Sequence, residues 1–255
     1  MEVISGSITM SIRDLFFGRA AFLRKKNFKR ILRVEALEDR KLLASFTLTP
    51  LNDNTLYQTA AGSVSTGAGI SLAFRLDHND NLAMRDLIAF DVASQVPAGA
   101  TINSVTLTVW NNLTFLSSTP NVELHRATSD WGEGAWAPTG FMPPYGAAKT
   151  NDATWLNTFF PSRTWTTPGG DFSPAVSGTV AIGADNKSYT WNSTSGIVAD
   201  AQSSLNSPSS NFGWLIKGDE TRESGKMIDS KKSTTPSHRP SLTIQYTPAS
   251  AFPRS

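Results

Sequence analysis

The chain has 255 residues, 39% of them apolar, with seven Trp and no Cys. This is enough to fill one large all-β domain or two small ones, and the lack of Cys excludes disulfides, thiolate nucleophiles and Cys-ligated zinc while leaving the redox compartment open. The net charge of +2 is uneven: residues 1–45 hold ten Lys/Arg and five Asp/Glu, the rest thirteen and sixteen, so the body lacks the positive charge that nucleic-acid binding needs.

Residues 1–45 have the texture of a basic amphipathic helix, with Leu15, Phe16, Ala20, Leu23, Ile31, Leu32, Leu37, Leu42 and Leu43 at three- and four-residue steps. The best apolar run, Leu15 to Leu23, is broken by Arg19, so it is not an ordinary secretory signal. No stable transmembrane segment is expected. From Ser45 onward short runs alternate apolar and polar residues. In INSVTLTVW (102–110), Val105, Leu107 and Val109 are expected to face a core, with Ser104, Thr106 and Thr108 opposite. Leu242, Ile244 and Tyr246 repeat the device in SLTIQY. DLIAFDV (86–92), with Phe90 inward, VELHRA (122–127), FGWLIK (212–217) and GKMIDS (225–230) are further strands bounded by turn residues. Gly132 to Asp152 reads as an elaborated loop. Only Gly196 to Leu205 has helical spacing in the body, with Ile197, Val198, Ala201 and Leu205 on one side, suited to cap an open end. The pattern predicts an all-β sandwich or barrel with one short helix.

Several blocks carry a family resemblance: DNTLYQTAAGSVSTGAG from Asp53, RDLIAFDVASQVPAGATINSVTLTV from Arg85, VELHRATSDWGEG from Val122, ATW from Ala153, WTTPGGDF from Trp165, YTWNST from Tyr189, SNFGWLIKGDE from Ser210 and HRPSLTIQY from His238. Together and in this order they resemble the DNRLRE domain family. The resemblance implies a jelly-roll β-sandwich on an exported protein, with relatives classed among carbohydrate-binding modules. One block departs: the family has Ser-Arg-Glu where this chain has Ser230-Lys231-Lys232. RVEALEDRKLLA, from Arg33, is similar to a Val-Glu-x-Leu-Glu-x-Arg-x-Leu-Leu motif near the N-termini of exported planctomycete proteins. It makes residues 1–45 a targeting segment, helical or disordered, ahead of a sandwich over 46–248 and a tail over 249–255.

The candidate chemistry is one of binding. His78, His125 and His238 are scattered without ligand spacing, and His125 is expected to satisfy a backbone partner. No nucleophile elbow, phosphate loop or dinucleotide fingerprint occurs, so no catalytic residue is assigned. Asp130 with Glu133, or Asp219 with Glu220, is the alternative a glycan hydrolase or lyase would use. Sugar sites pair exposed aromatic faces with carboxylates and amides, and Asp130 to Gly146 offers Trp136, Phe141 and Tyr145 with Glu133 among Gly and Pro. Trp131, Trp155, Trp165, Trp191 and Trp214 belong to the resembling blocks and are expected to anchor loops. No cofactor is expected, apart from a structural calcium whose candidate ligands are Asp77, Asn79 and Asp80. Asp53, Asp171 and Asp219 are expected to be turn caps.

The expectation is thus a noncatalytic extracellular or cell-surface module that binds a polysaccharide or cell-surface glycan. A structural or adhesive module without a small ligand is the alternative. Neither the glycan nor the oligomeric state is legible. A chain beginning at Ser45 is expected to fold and to melt within a few degrees of the full chain, as thermal unfolding would record.

Overall fold

The computed structural model describes residues 43–77, 82–135 and 146–249, with the backbone alone at 75–77. The expected targeting segment up to residue 42 and residues 250–255 of the tail lie outside the described residues. In chain order the strands are β1 (Ala44–Leu48), β2 (Asn52–Tyr57), β3 (Val64–Ser65), β4 (Ser71–Asp77), β5 (Leu82–Ala89), β6 (Thr101–Thr114), β7 (Asn121–Ala127), β8 (Gly146–Ala147), β9 (Asn157–Phe159) and β10 (Arg163–Thr164). There follow β11 (Phe172–Ala181), β12 (Lys187–Trp191), helix α1 (Ser195–Asn206), β13 (Trp214–Lys217), β14 (Ser224–Asp229) and β15 (Ser241–Thr247). Among the described residues no helix is long and apolar enough to cross a membrane.

All the strand pairs are antiparallel, and the main ladder runs β1-β15-β6-β14-β4-β5-β13-β7-β11, with β2 also on β5 and β12 on β6. β4 meets β5 only at the hairpin end, where Arg75, Leu76 and Asp77 oppose Met84, Ala83 and Leu82. The ladder folds over at this link, and the half holding β15, β6 and β14 packs on the half holding β5, β13 and β7. One core spans both, joining Val105, Leu107, Val109, Ile228, Leu242 and Ile244 to Ile88, Val122, Leu124, Trp214 and Ile216. The protein is therefore an all-β sandwich with one short helix.

The expected inward residues of β6 and β15 are buried, and Thr106 and Thr108 are only partly covered. β6 runs on to Thr114 because Met227 and Lys226 of β14 continue its pairing past Trp110. Helix α1 starts where Thr194 accepts the Ile197 N–H at 3.1 Å, a side-chain cap that satisfies an orphan donor. Ile197, Ala201 and Leu205 enter the main core, and the helix touches both β6 and β11, so it closes one end of the sandwich. Phe90, just past β5, meets Trp214 edge to face at 6.3 Å.

Since Leu107 and Phe90 are 0% and 1% exposed, replacing either with Ala is expected to cost roughly 2–5 kcal/mol through lost burial and a cavity. Thr106→Ala should stay within about 1 kcal/mol, as at most surface positions. Chemical denaturation of the three variants measures the contrast, and equal losses at Leu107 and Thr106 would contradict the register.

Candidate functional site

The β5 half of the sandwich buries apolar side chains on both faces. In β5, Ile88 points into the main core and Leu87 away from it; in β13, Trp214 and Ile216 point in and Leu215 away. The outward residues need a second cover, and the chain from Trp131 to Phe172 supplies it. Trp131, Trp155 and Trp165 pack with Ala153 on Leu56, Leu87 and Leu215. Buried indoles need partners for their N–H groups, and Trp131, Trp165, Trp191 and Trp214 have them. Trp131 donates to Phe212 O at 2.9 Å and Trp165 to Thr154 O at 2.8 Å. On the core side Trp191 donates to Val122 O at 3.0 Å and Trp214 to Asp200 at 2.9 Å. All five Trp of the resembling blocks are buried anchors.

Polar residues pin this cover. Asn54 Nδ2 donates to Ala153 O at 2.9 Å, while its Oδ1 accepts N–H groups of Thr55 and Gly67 at 2.8 and 3.0 Å. Arg85 grips Glu220 through two N–H groups at 2.6 and 2.9 Å and donates to Gly169 O at 2.8 Å, its guanidinium lying over Trp155 and Phe172. Asp152 is fully buried, and its two oxygens accept the N–H groups of Ala135 and Lys149, each at 2.8 Å. One carboxylate thereby ties together the two ends of the aromatic-rich stretch. Gly134, at φ +90°, presses so closely on Asp152 that a Cβ there would lie 2.3 Å from its oxygen.

Trp136, Phe141 and Tyr145 lie outside the described residues, as do Asn79 and Asp80; Asp77 ends β4, with its backbone alone described. Glu133 is described. Its Oε1 forms an ion pair with Lys231 Nζ and accepts the Asp53 N–H at 3.3 Å. Lys231 also donates its own N–H to Asp53 at 2.6 Å, so Asp53 is not the turn cap expected: it lies within β2 and its buried carboxyl meets a distant segment. Sequence reading missed Asp152, Asn54 and this Glu133–Lys231 bond; Asx residues after a turn were the available signal, but their partners lie far along the chain.

Two open clefts flank the cover. One, of about 490 Å³, is lined by Thr128, Ser129, Thr166, Thr167, Asp171 and Phe172, with Gly170 and Pro174. Burial alone would raise the Asp171 carboxyl, but the N–H groups of Thr166 and Thr167 and the Ser129 hydroxyl outweigh it and hold it below the ordinary value. Asp171 is thus the turn cap expected, and it stays ionised under a rim of hydroxyls beside the half-buried Phe172. The other cleft, of about 680 Å³, lies where β7 begins and β13 ends, with Glu123, Lys217, Asp219, Glu220, Arg222 and Glu223 in its walls. Its Ser118 wall is held from behind by the buried Lys226, which donates to Ser118 O at 2.7 Å and Leu116 O at 2.9 Å. Asp219 is again a cap, lowered by the Thr221 hydroxyl and N–H.

His125 lies between Ser173 O at 3.0 Å and Glu123 at 3.2 Å, the backbone partner expected. His238 stacks on Trp110 at 3.8 Å and meets Asp229 at 3.2 Å. Among the described residues no three His, Asp or Glu side chains gather as a metal site would require. No protein-family model matches the chain, and no curated protein does.

Asp152→Ala would orphan two N–H groups beneath the cover. It is expected to cost on the order of 3 kcal/mol, given about 1–3 kcal/mol for each buried donor left unpaired. Limited proteolysis should then cut faster between residues 135 and 149, with denaturant unfolding giving the loss in stability.

Proposed function

We propose that the protein is a noncatalytic, exported β-sandwich module that binds carbohydrate, either a polysaccharide or a cell-surface glycan. The observation that carries this reading is the Asp152 staple. It holds Ala135 and Lys149, which flank in sequence the stretch containing Trp136, Phe141 and Tyr145, and Thr128 and Ser129 of the cleft of about 490 Å³ come just before that stretch in the chain. Fixed attachment lowers the entropy lost when aromatic rings are ordered on a ligand. The cleft adds what sugar hydroxyls need: an ionised carboxylate, four Ser/Thr hydroxyls and the edge of a phenyl ring. The resemblance to DNRLRE domains points the same way, and the export-type motif before β1 supports an extracellular or surface location. Calcium, in such a module, would be taken by the oxygen-rich sequence that holds Asp77, Asn79 and Asp80.

The noncatalytic reading is favoured over a hydrolase or lyase by how the candidate acids are used. Both oxygens of Glu220 are held by Arg85, and Glu133 is paired with Lys231, so neither Asp219–Glu220 nor Asp130–Glu133 offers two free carboxyl groups for acid and base work.

Stacking of one ring on a sugar is expected to contribute about 1 kcal/mol, by analogy with aromatic pairs. Replacing both Trp136 and Tyr145 with Ala should therefore weaken binding by roughly 10- to 100-fold, with little change in melting temperature. Glycan-array screening identifies the ligand and calorimetry compares the variants. Absence of glycan binding by the intact protein would leave the structural or adhesive module as the reading.

A further inference from the structure

The register that builds the main core places two carboxyl groups in it. On β2 and β5, Asp53 opposes Ile88 and Thr55 opposes Asp86, and β13 sets Ile216 beside Asp86. Ile88 and Ile216 belong to the main core. Residues paired across a ladder share a face, so Asp53 and Asp86 point inward with them, one diagonal step apart. Both are 0% exposed.

Their partners are few. Asp86 Oδ1 accepts the Thr55 hydroxyl at 2.6 Å, and that hydroxyl oxygen accepts the Ala73 N–H at 3.0 Å. Asp53 Oδ2 accepts the Lys231 N–H. The remaining oxygens, Asp53 Oδ1 and Asp86 Oδ2, have no hydrogen-bond partner. The charged groups acting on Asp53 are Glu133, Lys231, Lys232 and Asp86, and Lys231 Nζ is already engaged by Glu133 and Leu51 O. Among the described residues Asp53 is the charged group that acts on Asp86, with the Thr55 hydroxyl and the Ala73 N–H favouring its ionised form. An ionised carboxylate without a counter-charge in an apolar core is strongly disfavoured, and a second beside it more so.

We infer that Asp53 and Asp86 form a buried carboxyl pair that keeps a proton at neutral pH and works as an alkaline-release latch on β2 and the foot of the aromatic-rich stretch. A retained proton removes charge from the core, and a neutral carboxyl is far less costly to bury than an ion. Its loss to solvent base leaves like charges on the paired strands β2 and β5, and Glu133 adds to the repulsion. Asp53 holds Lys231, and Lys231 holds Glu133, so release passes from β2 to the root of the Asp130–Gly146 segment. The inference stands whether or not that segment binds a glycan.

Burial pushes Asp53 from 3.8 up to about 7, with Glu133 adding and the Lys231 N–H and the Lys charges opposing. Burial likewise pushes Asp86 to about 8, opposed by the Thr55 hydroxyl and Ala73 N–H and reinforced by Asp53. Both folded values lie above the unfolded one. The folded chain therefore binds these protons more tightly, and the stability they confer is complete below pH 3.8 and lost as pH rises through 7 to 8.

The test is the melting temperature of the full chain across this range, with carbon-13 NMR titration of its Asp carboxyls. The expected result is a melting temperature that falls from pH 6 to pH 9, an Asp carboxyl that titrates in that interval, and an Asp86→Asn variant whose fall is clearly smaller, with the remainder due to Asp53. A flat profile for the parent, no Asp titrating above pH 6, or an equal fall in Asp86→Asn would overturn the latch. The NMR reading needs no variant, so it decides the matter even if Asp86→Asn fails to fold. Rescue of the parent at pH 9 by millimolar calcium, absent in Asp86→Asn, would also overturn it and mark the pair as a cation site.

Discussion

A sheet that is buried on one face needs one cover; the half-sheet of β2, β5 and β13 buries apolar side chains on both. Leu56, Leu87, Ala89 and Leu215 point away from the main core, and leaving them in water would forfeit about 1.5–3 kcal/mol for each large side chain. Much else follows from that requirement. The opposing half-sheet covers the inner face. The outer one is covered by residues whose described part holds only the short strands β8, β9 and β10, which is why three tryptophans are spent on it. A chain with few ladder bonds must be fixed by bulky side chains and by buried polar groups.

Those polar groups organise the candidate site. Asn54, Arg85, Asp152 and Asp171 each bind backbone in the cover, and buried polar atoms are stabilising only when so matched. A carboxylate that accepts two backbone N–H groups fixes their separation, so Ala135 and Lys149 are held to one buried anchor. The same accounting separates Asp152 from Asp86. Asp152 has a donor at each oxygen, whereas Asp86 has one oxygen bonded and one bare. The first is structure; the second stores a dependence on protons.

The departure Ser230-Lys231-Lys232 fits this picture. Lys231 lies with its N–H on Asp53 and its ammonium on Glu133 and Leu51 O. A cation at this position is thus used to join β2 to the cover. Lys232, where the resembling family has an acid, directs its N–H to Ser230 Oγ at 2.9 Å, and nothing in the structure explains the change of charge.

What was legible in the chain was what period alone determines. Alternation in INSVTLTVW and SLTIQY placed Val105, Leu107, Ile244 and their neighbours inward, because strand geometry sends successive side chains to opposite faces. The helix at Gly196–Leu205 followed from its own spacing, and it spans Ser195–Asn206. The same alternation that sends Phe90 inward also sends Asp86 inward, whereas burial of both faces at Leu87 and Leu215 came only with the tertiary structure. Which segment would cover the second face was not legible. Asp53 and Lys231 lie 178 positions apart, Arg85 and Glu220 135 apart, and Asn54 and Ala153 99 apart. Periodicity reports how one strand divides between two faces, whereas hydrogen bonds and ion pairs act over a few ångströms in space. Only the folding-over of the ladder at β4 and β5, and the packing of the cover on Leu87 and Leu215, brought those partners within that reach.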